Sequence, residues 1–140
     1  MPHATAARGL AATGAAATAS TTALRNASLV GEGANRWPAV HVADAARLVR
    51  LAVEGAPPGS VLHAAAENVP FRSIAESIGR QLEVPAAGVA AEAAGAHFGP
   101  LGAFAGLDMP VTSARTQELV GWRPTGPTLL DDLDAGRYTR

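Results

Sequence analysis

The sequence predicts an α/β fold in which a few short strands are followed by a mostly helical C-terminal region. Turn-rich segments separate short apolar runs, and two segments with one apolar helical face lie between those runs. The last third of the chain carries repeated helix-start and helix-stop signals. Alternation of strand and helix is typical of an α/β architecture, and 140 residues is the length of one domain.

The composition argues against several classes of partner. The net charge is −1 at pH 7, so electrostatics give no reason to expect nucleic acid or an anionic membrane. No apolar run approaches the roughly 18 residues of a transmembrane helix. The absence of cysteine removes disulfides and thiolate metal sites, and fits a reducing, cytoplasmic location. Because apolar residues reach 48% while aromatics are only 4%, we expect a thin core unless another layer covers it.

Residues 1–30 differ from the rest of the chain. They are rich in Ala and Thr, contain no acidic residue, and show no period of 2 or 3.6. We expect a poorly ordered leader here; a targeting peptide and a start-site or reading-frame artefact are alternative interpretations. Residues 31–140 are the predicted folded region.

The first regular elements are a strand and a helix. Residues 31–36 form a turn-rich loop, and Pro38 restricts the residue before it to extended backbone. Residues 39–42 are predicted to form a strand, and Asp44 is predicted to cap a helix over residues 45–54. A glycine followed by Pro-Pro-Gly predicts the end of that helix.

A second strand and helix follow. Residues 61–66 form a continuous apolar run, which predicts a strand buried on both faces, with a short helix as the alternative. Ser73 and Glu76 match a capping box. The helix that they open carries an apolar stripe of Ile74, Ile78 and Leu82.

The remaining segments are predicted to be helical. Residues 86–106 form a helix interrupted by a proline, and Ser113 begins a short helix that a glycine ends after residue 120. Thr128 and Asp131 match a second capping box, which predicts a last helix from residue 129 to about residue 135.

Two motifs resemble catalytic or cofactor sites but lack the required context. A dinucleotide loop needs a preceding strand, a third glycine and a following helix. In the Gly31-x-Gly33 segment Arg36 replaces the third glycine and Trp-Pro follows instead of a helix, so we reject this interpretation. His41 and Asp44 with Ser113 as nucleophile would form a triad, but no nucleophile-elbow pattern is present. We therefore interpret His41 as a strand residue and Asp44 as a helix cap.

Other conspicuous residues have simpler interpretations. The histidines show no metal-ligand spacing, and His63 is expected to be a hydrogen-bonded core residue. Trp122 is expected to anchor a helix end. Arg36 and Trp37 are the most informative pair, because a guanidinium binds phosphate or carboxylate and an adjacent aromatic ring stacks on a ligand ring. A surface arginine beside a core tryptophan is the alternative.

Three segments resemble the extended short-chain dehydrogenases/reductases, the NAD-dependent epimerase/dehydratase group. Residues 35–46, Asn-Arg-Trp-Pro-Ala-Val-His-Val-Ala-Asp-Ala-Ala, are similar to the V-H-V-x-D-x-A stretch that follows a G-D/E-G loop in that group. Residues 67–76, Glu-Asn-Val-Pro-Phe-Arg-Ser-Ile-Ala-Glu, resemble a later helix, and residues 118–124, Glu-Leu-Val-Gly-Trp-Arg-Pro, resemble the E-L-L-G-W-x-P terminus. The resemblance covers about residues 29–138.

The resemblance implies a partial Rossmann-type fragment, the C-terminal substrate-side region of such an enzyme. Intact relatives would use NAD or NADP to oxidise or reduce a carbonyl/alcohol, or to epimerise a sugar. The family's G-x-x-G-x-x-G loop has no counterpart here, and its Tyr-x-x-x-Lys is impossible because all eleven basic residues are arginine. We therefore expect this chain alone to be inactive and to bind no cofactor.

The resemblance also implies a substrate site and a partner. Substrate contacts are expected at Asn35, Arg36, Trp37 and His41, with Arg36 at a position where some members bind a diphosphate. The partners implied are an unknown small-molecule substrate and a missing cofactor-binding half. A non-catalytic binding domain and a gene remnant are the alternative functions.

Overall fold

The computed structural model describes residues 26–138, a mixed arrangement of short strands and helices. Its strands are β1 (Ala27–Val30), β2 (Arg36–Ala39), β3 (Glu67–Pro70) and β4 (Ala86–Val89). Its helices are α1 (Val42–Gly55), α2 (Phe71–Leu82), α3 (Ala94–Phe98), α4 (Gly102–Ala105), α5 (Ala114–Val120) and α6 (Leu129–Asp134), and short 3-10 turns flank α3 (Ala91–Ala93 and Gly99–Leu101). The predicted α/β class with a mostly helical C-terminal region is confirmed.

The strands form two separate pairs. β1 and β4 are parallel, with Leu29 opposite Gly88, whereas β2 and β3 are antiparallel, with Trp37 opposite Val69. A two-stranded sheet has little stability of its own, so both pairs depend on the helices that pack against them.

Helix α2 joins the two pairs because it is apolar on two faces. Phe71 packs with Leu29 of β1 in one buried cluster, and these side chains are 2% and 1% exposed. Ile74 packs with Val69 of β3 and Leu133 of α6 in a second cluster. Burial of such side chains contributes about 1.5–3 kcal/mol each, so α2 is the main source of cohesion.

A third cluster is smaller. Phe98 packs with Ala94 and Ala105, and Val30 extends the contact to β1. Alanine contributes little buried area, which agrees with the thin core expected from the composition.

The first helix begins earlier than predicted. The strand lies at Arg36–Ala39, not at residues 39–42, and α1 starts at Val42. His41 is the N-cap, and its Nδ1 accepts a hydrogen bond from the Ala43 N–H at 3.2 Å. Asp44 lies within the first turn and is buried, so the predicted cap was wrong; the residue is held instead by a distant segment described below.

The second strand and capping box were also wrong. Residues 61–66 have no regular secondary structure, and His63, expected in the core, is exposed. Helix α2 starts at Phe71 without a side-chain cap. Its first N–H groups are satisfied by a loop, because Phe71 N–H donates to the Asn35 carbonyl (2.8 Å) and Arg72 N–H to the Gly33 carbonyl (2.9 Å).

Two further boundaries changed. The expected helix over residues 86–106 begins with strand β4, since pairing with β1 overrides the low strand propensity of Ala and Gly. Strand β1 (Ala27–Val30) lies within the last residues of the expected leader, residues 1–30. The rest of the expected leader, residues 1–25, lies outside the described residues.

The C-terminal predictions were accurate. Helix α5 follows Ser113 and ends at Gly121, whose φ is 64°. The capping box of α6 is complete, since Thr128 accepts from Asp131 N–H and Asp131 accepts from Thr128 N–H. Among residues 26–138, no helix has the length and apolar character needed to cross a membrane.

Candidate functional site

The side chains predicted to bind substrate diverge in the structure. Asn35 and Arg36 face the loop over residues 105–111, Trp37 points towards the core, and His41 faces α6. Successive residues of a strand project to opposite sides, which separates Arg36 from Trp37. The four residues therefore do not form one pocket.

Arg36 forms a bidentate ion pair with Asp108. Its Nε lies 3.1 Å from Oδ1 and its second terminal nitrogen 2.9 Å from Oδ2, while the Arg36 backbone N–H donates to Oδ1 at 2.7 Å. Both side chains are 48% exposed. Hydrogen bonds from the Arg36 side chain and backbone lower the pKa of Asp108, and the carboxylate raises the pKa of Arg36. Sequence spacing gave no signal for this pair, because its members are 72 residues apart.

Asn35, which precedes β2, also binds the loop over residues 105–111. Its amide donates to the carbonyls of Ala105 (3.0 Å) and Leu107 (3.1 Å). Met109 N–H donates to the Arg36 carbonyl at 2.8 Å, which adds a backbone bond beside the ion pair. We call the surface formed by Asn35, Arg36, Leu107, Asp108 and Met109 the Arg36 face.

Trp37 is partly buried and packs against the core cluster that contains Leu29 and Phe71. Its ring meets Phe71 edge to face, with centroids 5.0 Å apart and an interplanar angle of 73°. Its Nε1–H is buried and has no acceptor among residues 26–138. This position favours the alternative interpretation of a surface arginine beside a core tryptophan.

His41 and Asp44 do not form a catalytic pair. His41 Nε2 lies 3.6 Å from an Asp132 carboxylate oxygen, and no hydrogen bond joins it to Asp44 in the described part of the chain. Ser113 lies elsewhere, where its hydroxyl donates to the Ala65 carbonyl at 2.6 Å. The geometry agrees with rejecting a triad.

Asp44 instead binds the segment after α5 through hydrogen bonds. Its carboxylate accepts from the backbone N–H groups of Gly126 (2.8 Å) and Thr125 (3.1 Å) and from Arg47 (2.7 Å). Arg47 also donates to the Arg123 carbonyl. Burial favours a higher pKa for Asp44, but the backbone hydrogen bonds and Arg47 outweigh it and hold the pKa below its ordinary value.

The Gly31-x-Gly33 loop does not suit a dinucleotide. A Cβ at Gly33 would lie 2.7 Å from Leu29 Cδ1 and 2.9 Å from the Arg72 nitrogen, so this glycine permits close packing against α2. The carbonyls of the loop already accept hydrogen bonds from the first N–H groups of α2. A phosphate bound at this helix start would need those same N–H groups. The described residues therefore offer no pyrophosphate cradle here.

Two clefts lie away from the Arg36 face. A cleft of about 440 Å³ is lined by residues 76, 79, 80 and 83–86, at the end of α2. A cleft of about 520 Å³ is lined by Pro57, Gly59, Ser60, Val61, His63, Arg115 and Leu119. Within residues 26–138, no three His, Asp or Glu side chains are grouped as metal ligands.

The sequence has relatives in two yeasts. It is 46% identical over 110 residues to an uncharacterized protein of Schizosaccharomyces pombe and 43% identical over 107 residues to an uncharacterized protein of Saccharomyces cerevisiae. These alignments cover 78% and 76% of this chain but only 37% and 36% of the yeast proteins. The chain thus spans little more than a third of their length. No family model matches it.

The fold is similar to part of a solved structure. RMD from Pseudomonas aeruginosa, solved in complex with NADPH, aligns with a TM-score of 0.53 at 18% sequence identity. The alignment covers 94% of this chain and 39% of that protein. The chain therefore has the fold of a portion of a larger protein.

Proposed function

We propose that this chain is the substrate-side part of an NAD(P)-dependent oxidoreductase or epimerase resembling the extended short-chain dehydrogenases/reductases. The observation that carries the proposal is the fold shared over 94% of the chain with part of a protein solved with NADPH. The packing of two family-like segments supports it, because the Val-His-Val-x-Asp segment and the Gly-Trp-Arg-Pro segment meet at Asp44 and Trp122.

The role of this chain in such an enzyme is substrate binding. When bound by a cofactor-binding half, NAD(P) supplies hydride transfer to or from the substrate carbon. The only tyrosine in the sequence, Tyr138, donates to Asp132 (3.5 Å), and the sequence has no lysine to pair with it. Proton transfer is therefore assigned to the cofactor-binding half.

The Arg36 face is the proposed contact with an anionic substrate group. A guanidinium fork fits a phosphate as it fits a carboxylate, and Asp108 occupies that fork in the chain alone. The substrate anion is proposed to displace Asp108 from the guanidinium, and the Asp108 side chain is 48% exposed to solvent.

Titration of the chain with inorganic pyrophosphate, followed by amide NMR shifts, tests this contact. We expect weak, millimolar binding that shifts amides at residues 35–37 and 107–109. Asp108→Asn removes the competing carboxylate and is expected to tighten binding several-fold, whereas Arg36→Gln abolishes it. Arg50→Gln is the matched control, because Arg50 forms another exposed pair, with Glu54. Shifts that persist in Arg36→Gln would refute the proposed contact.

A chimera tests the assignment to NAD(P)-dependent enzymes. The matched segment of the S. pombe relative is replaced by residues 27–138 of this chain, and NADPH binding is measured by calorimetry for the chimera and for the 140-residue chain. We expect binding by the chimera alone, and NADPH oxidation with members of a panel of aldehydes and ketones. Micromolar binding by the 140-residue chain would contradict the division of roles. A folded chimera that binds no NADPH would contradict the proposed function and favour a non-catalytic binding domain.

A further inference from the structure

The cleft of about 520 Å³ beside α5, here called the α5 cleft, combines basic and apolar lining residues. Arg115 and His63 are the basic ones, and Val61 and Leu119 are apolar. None of the described residues that line it is acidic, so the charge of Arg115 is not compensated within the cleft. Sites for small organic ligands have this range of volume and a mostly apolar lining with a few polar groups.

The guanidinium of Arg115 is available to a ligand. The other arginines of residues 26–138 are paired with a carboxylate or hydrogen-bonded to a backbone carbonyl: Arg36, Arg47, Arg50, Arg72, Arg80, Arg123 and Arg137. Arg115 is exposed and has no such partner in this part of the chain. Because a guanidinium presents its N–H donors as a planar fork, Arg115 offers the cleft a bidentate site for an anion.

Hydrogen bonds hold the two sides of the cleft together. His63 N–H donates to Thr116 Oγ1 at 2.8 Å, and the Ser113 hydroxyl donates to the Ala65 carbonyl at 2.6 Å. The His63 ring adds a third contact, since its Nδ1 lies 3.2 Å from the Thr112 carbonyl. These bonds fix the segment before β3 against the start of α5. The cleft is therefore formed before a ligand arrives, which lowers the entropy cost of binding.

Apolar side chains lie close to the guanidinium. Leu119 follows Arg115 by four residues on α5, so the two side chains are neighbours on one face of the helix. Leu119 is 39% exposed, and Val61, on the other side of the cleft, is 78% exposed. A bare inorganic ion would leave both apolar side chains in water, whereas a ligand with an apolar body would cover them.

We propose that the α5 cleft binds an organic carboxylate with an apolar body. The Arg115 fork holds the carboxylate, and the apolar body packs against Val61 and Leu119. All of these residues belong to this chain, and the cleft is separate from the Arg36 face. The inference therefore goes beyond the proposed function and does not depend on it.

The cleft at the end of α2 lacks this combination of groups. Its arginine, Arg80, is already bound to Asp134 at 2.8 Å. Glu76 and Glu83 add two carboxylates to its lining. An anion in that cleft would compete with Asp134 and would be repelled by the glutamates. The volumes of the two clefts are similar, so the charges and not the volume assign the anion to the α5 cleft.

Titration of the 140-residue chain with benzoate, followed by amide NMR shifts, tests the proposed ligand class. We expect a dissociation constant of about 1 mM, as for a ligand of few atoms, with shifts at Gly59, Val61, His63, Arg115 and Leu119. Benzamide lacks the charge and acetate lacks the ring, so each is expected to bind at least about tenfold more weakly. Inorganic phosphate that binds as tightly as benzoate would overturn the assignment to an apolar carboxylate.

Substitution of Arg115 tests the anion contact. Arg115→Gln is expected to weaken benzoate binding at least about tenfold. Arg115→Lys keeps the charge but not the fork, and it is expected to weaken binding less. Arg50→Gln is the matched control, because Arg50 is an exposed helical arginine outside the cleft. The thermal midpoint should stay unchanged in both Arg115 variants, since the side chain has no partner within residues 26–138. Unchanged benzoate binding in Arg115→Gln would overturn the proposal.

Substitution of Val61 tests the apolar contact separately. Val61→Ser is expected to weaken benzoate binding about threefold and to leave acetate binding unchanged, because acetate has no ring to cover the valine. Val49→Ser is the matched control, since Val49 is 63% exposed on α1 and lies outside the cleft. Equal losses for benzoate and acetate would contradict the apolar contact. Shifts confined to residues 35–37 and 107–109 would place benzoate on the Arg36 face, which would overturn the α5 cleft while supporting the anion contact of the proposed function.

Discussion

The indole N–H of Trp122 donates a 2.9 Å hydrogen bond to the backbone carbonyl of Asp44, which lies 78 residues earlier in the chain. The Trp122 side chain is fully buried, and the Asp44 carboxylate binds Thr125 and Gly126 immediately beyond it. The backbone carbonyl and the carboxylate of Asp44 therefore bind the two ends of the segment over residues 122–126. This contact fixes the segment after α5 against the first turn of α1.

Replacement of Trp122 by Phe removes that hydrogen bond and leaves space in the core. We expect Trp122→Phe to lower the free energy of unfolding by about 2–3 kcal/mol, from the lost hydrogen bond and the lost volume. Urea unfolding followed by circular dichroism measures the change. Leu107→Ala, at a side chain that is 46% exposed, is the control and should change stability far less.

The contribution of the Asp44 carboxylate to the free energy of unfolding depends on pH. Asp44→Asn removes the charge that Arg47 and two backbone N–H groups bind, and it should cost about 2–3 kcal/mol near neutral pH. Because the folded-state pKa lies below the ordinary value of 3.8, the carboxylate stabilises the fold fully above that value. Its contribution is lost as the pH falls from 3.8 through the folded-state pKa.

Thermal unfolding of both proteins across this range checks the sign. The stability difference between wild type and Asp44→Asn should be constant above about pH 5 and should narrow in acid. A difference that widens as the pH falls would mean that the carboxylate does not bind these donors in its charged form.

The two capping boxes found in the sequence are expected to differ in their contribution to the free energy of unfolding. Thr128→Ala should cost about 1 kcal/mol, because Thr128 Oγ1 accepts from Asp131 N–H at 3.1 Å at the start of α6. Ser73→Ala should cost less than about 0.5 kcal/mol, because Ser73 lies inside α2 and caps nothing. Paired urea unfolding curves measure both. Equal losses would show that Ser73 does contribute to the helix start.

Alanine substitutions at Gly33 and Gly59 distinguish the cost of backbone strain from the cost of steric contact. Both have positive φ angles, 67° and 79°, but a Cβ at Gly59 would meet nothing within 4 Å. Gly59→Ala should therefore cost only about 1 kcal/mol of conformational strain. Gly33→Ala should cost about 1–3 kcal/mol more, because the methyl group collides with Leu29 and the Arg72 backbone.

Thermal denaturation of the two glycine variants measures this difference. The α2 amides of Phe71 and Arg72 should also exchange faster in Gly33→Ala, since the loop that accepts their hydrogen bonds must move. Similar losses in both variants would show that the loop yields easily to the methyl group.

Local signals predicted the elements whose ends are set by nearby residues. Helix α6 begins where Thr128 and Asp131 satisfy each other's backbone groups, and α5 ends at a glycine in the left-handed region. Both features require only residues within one turn, so the sequence alone is sufficient.

The predictions from sequence were wrong where a segment distant in the chain supplies the hydrogen-bonding partner. Asp44 was expected to cap its own helix but binds residues 125 and 126, and α2 is capped by the carbonyls of residues 33 and 35. Residues 86–89 form a strand only because β1 lies beside them. In each case a hydrogen-bonding group found its partner across the fold, and no local pattern identifies that partner.

The sequence by itself determined the α/β class, the C-terminal helices and the three segments that resemble one oxidoreductase group. It also determined that no Tyr-x-x-x-Lys exists in this chain, since that follows from composition alone. The tertiary structure decided that Arg36 is paired with Asp108, that Trp37 packs against Phe71, and that Trp122 is held by Asp44. Composition, the end of α5 and the start of α6 depend only on residue types and on neighbours within one turn, whereas these contacts join residues that only the folded chain brings together.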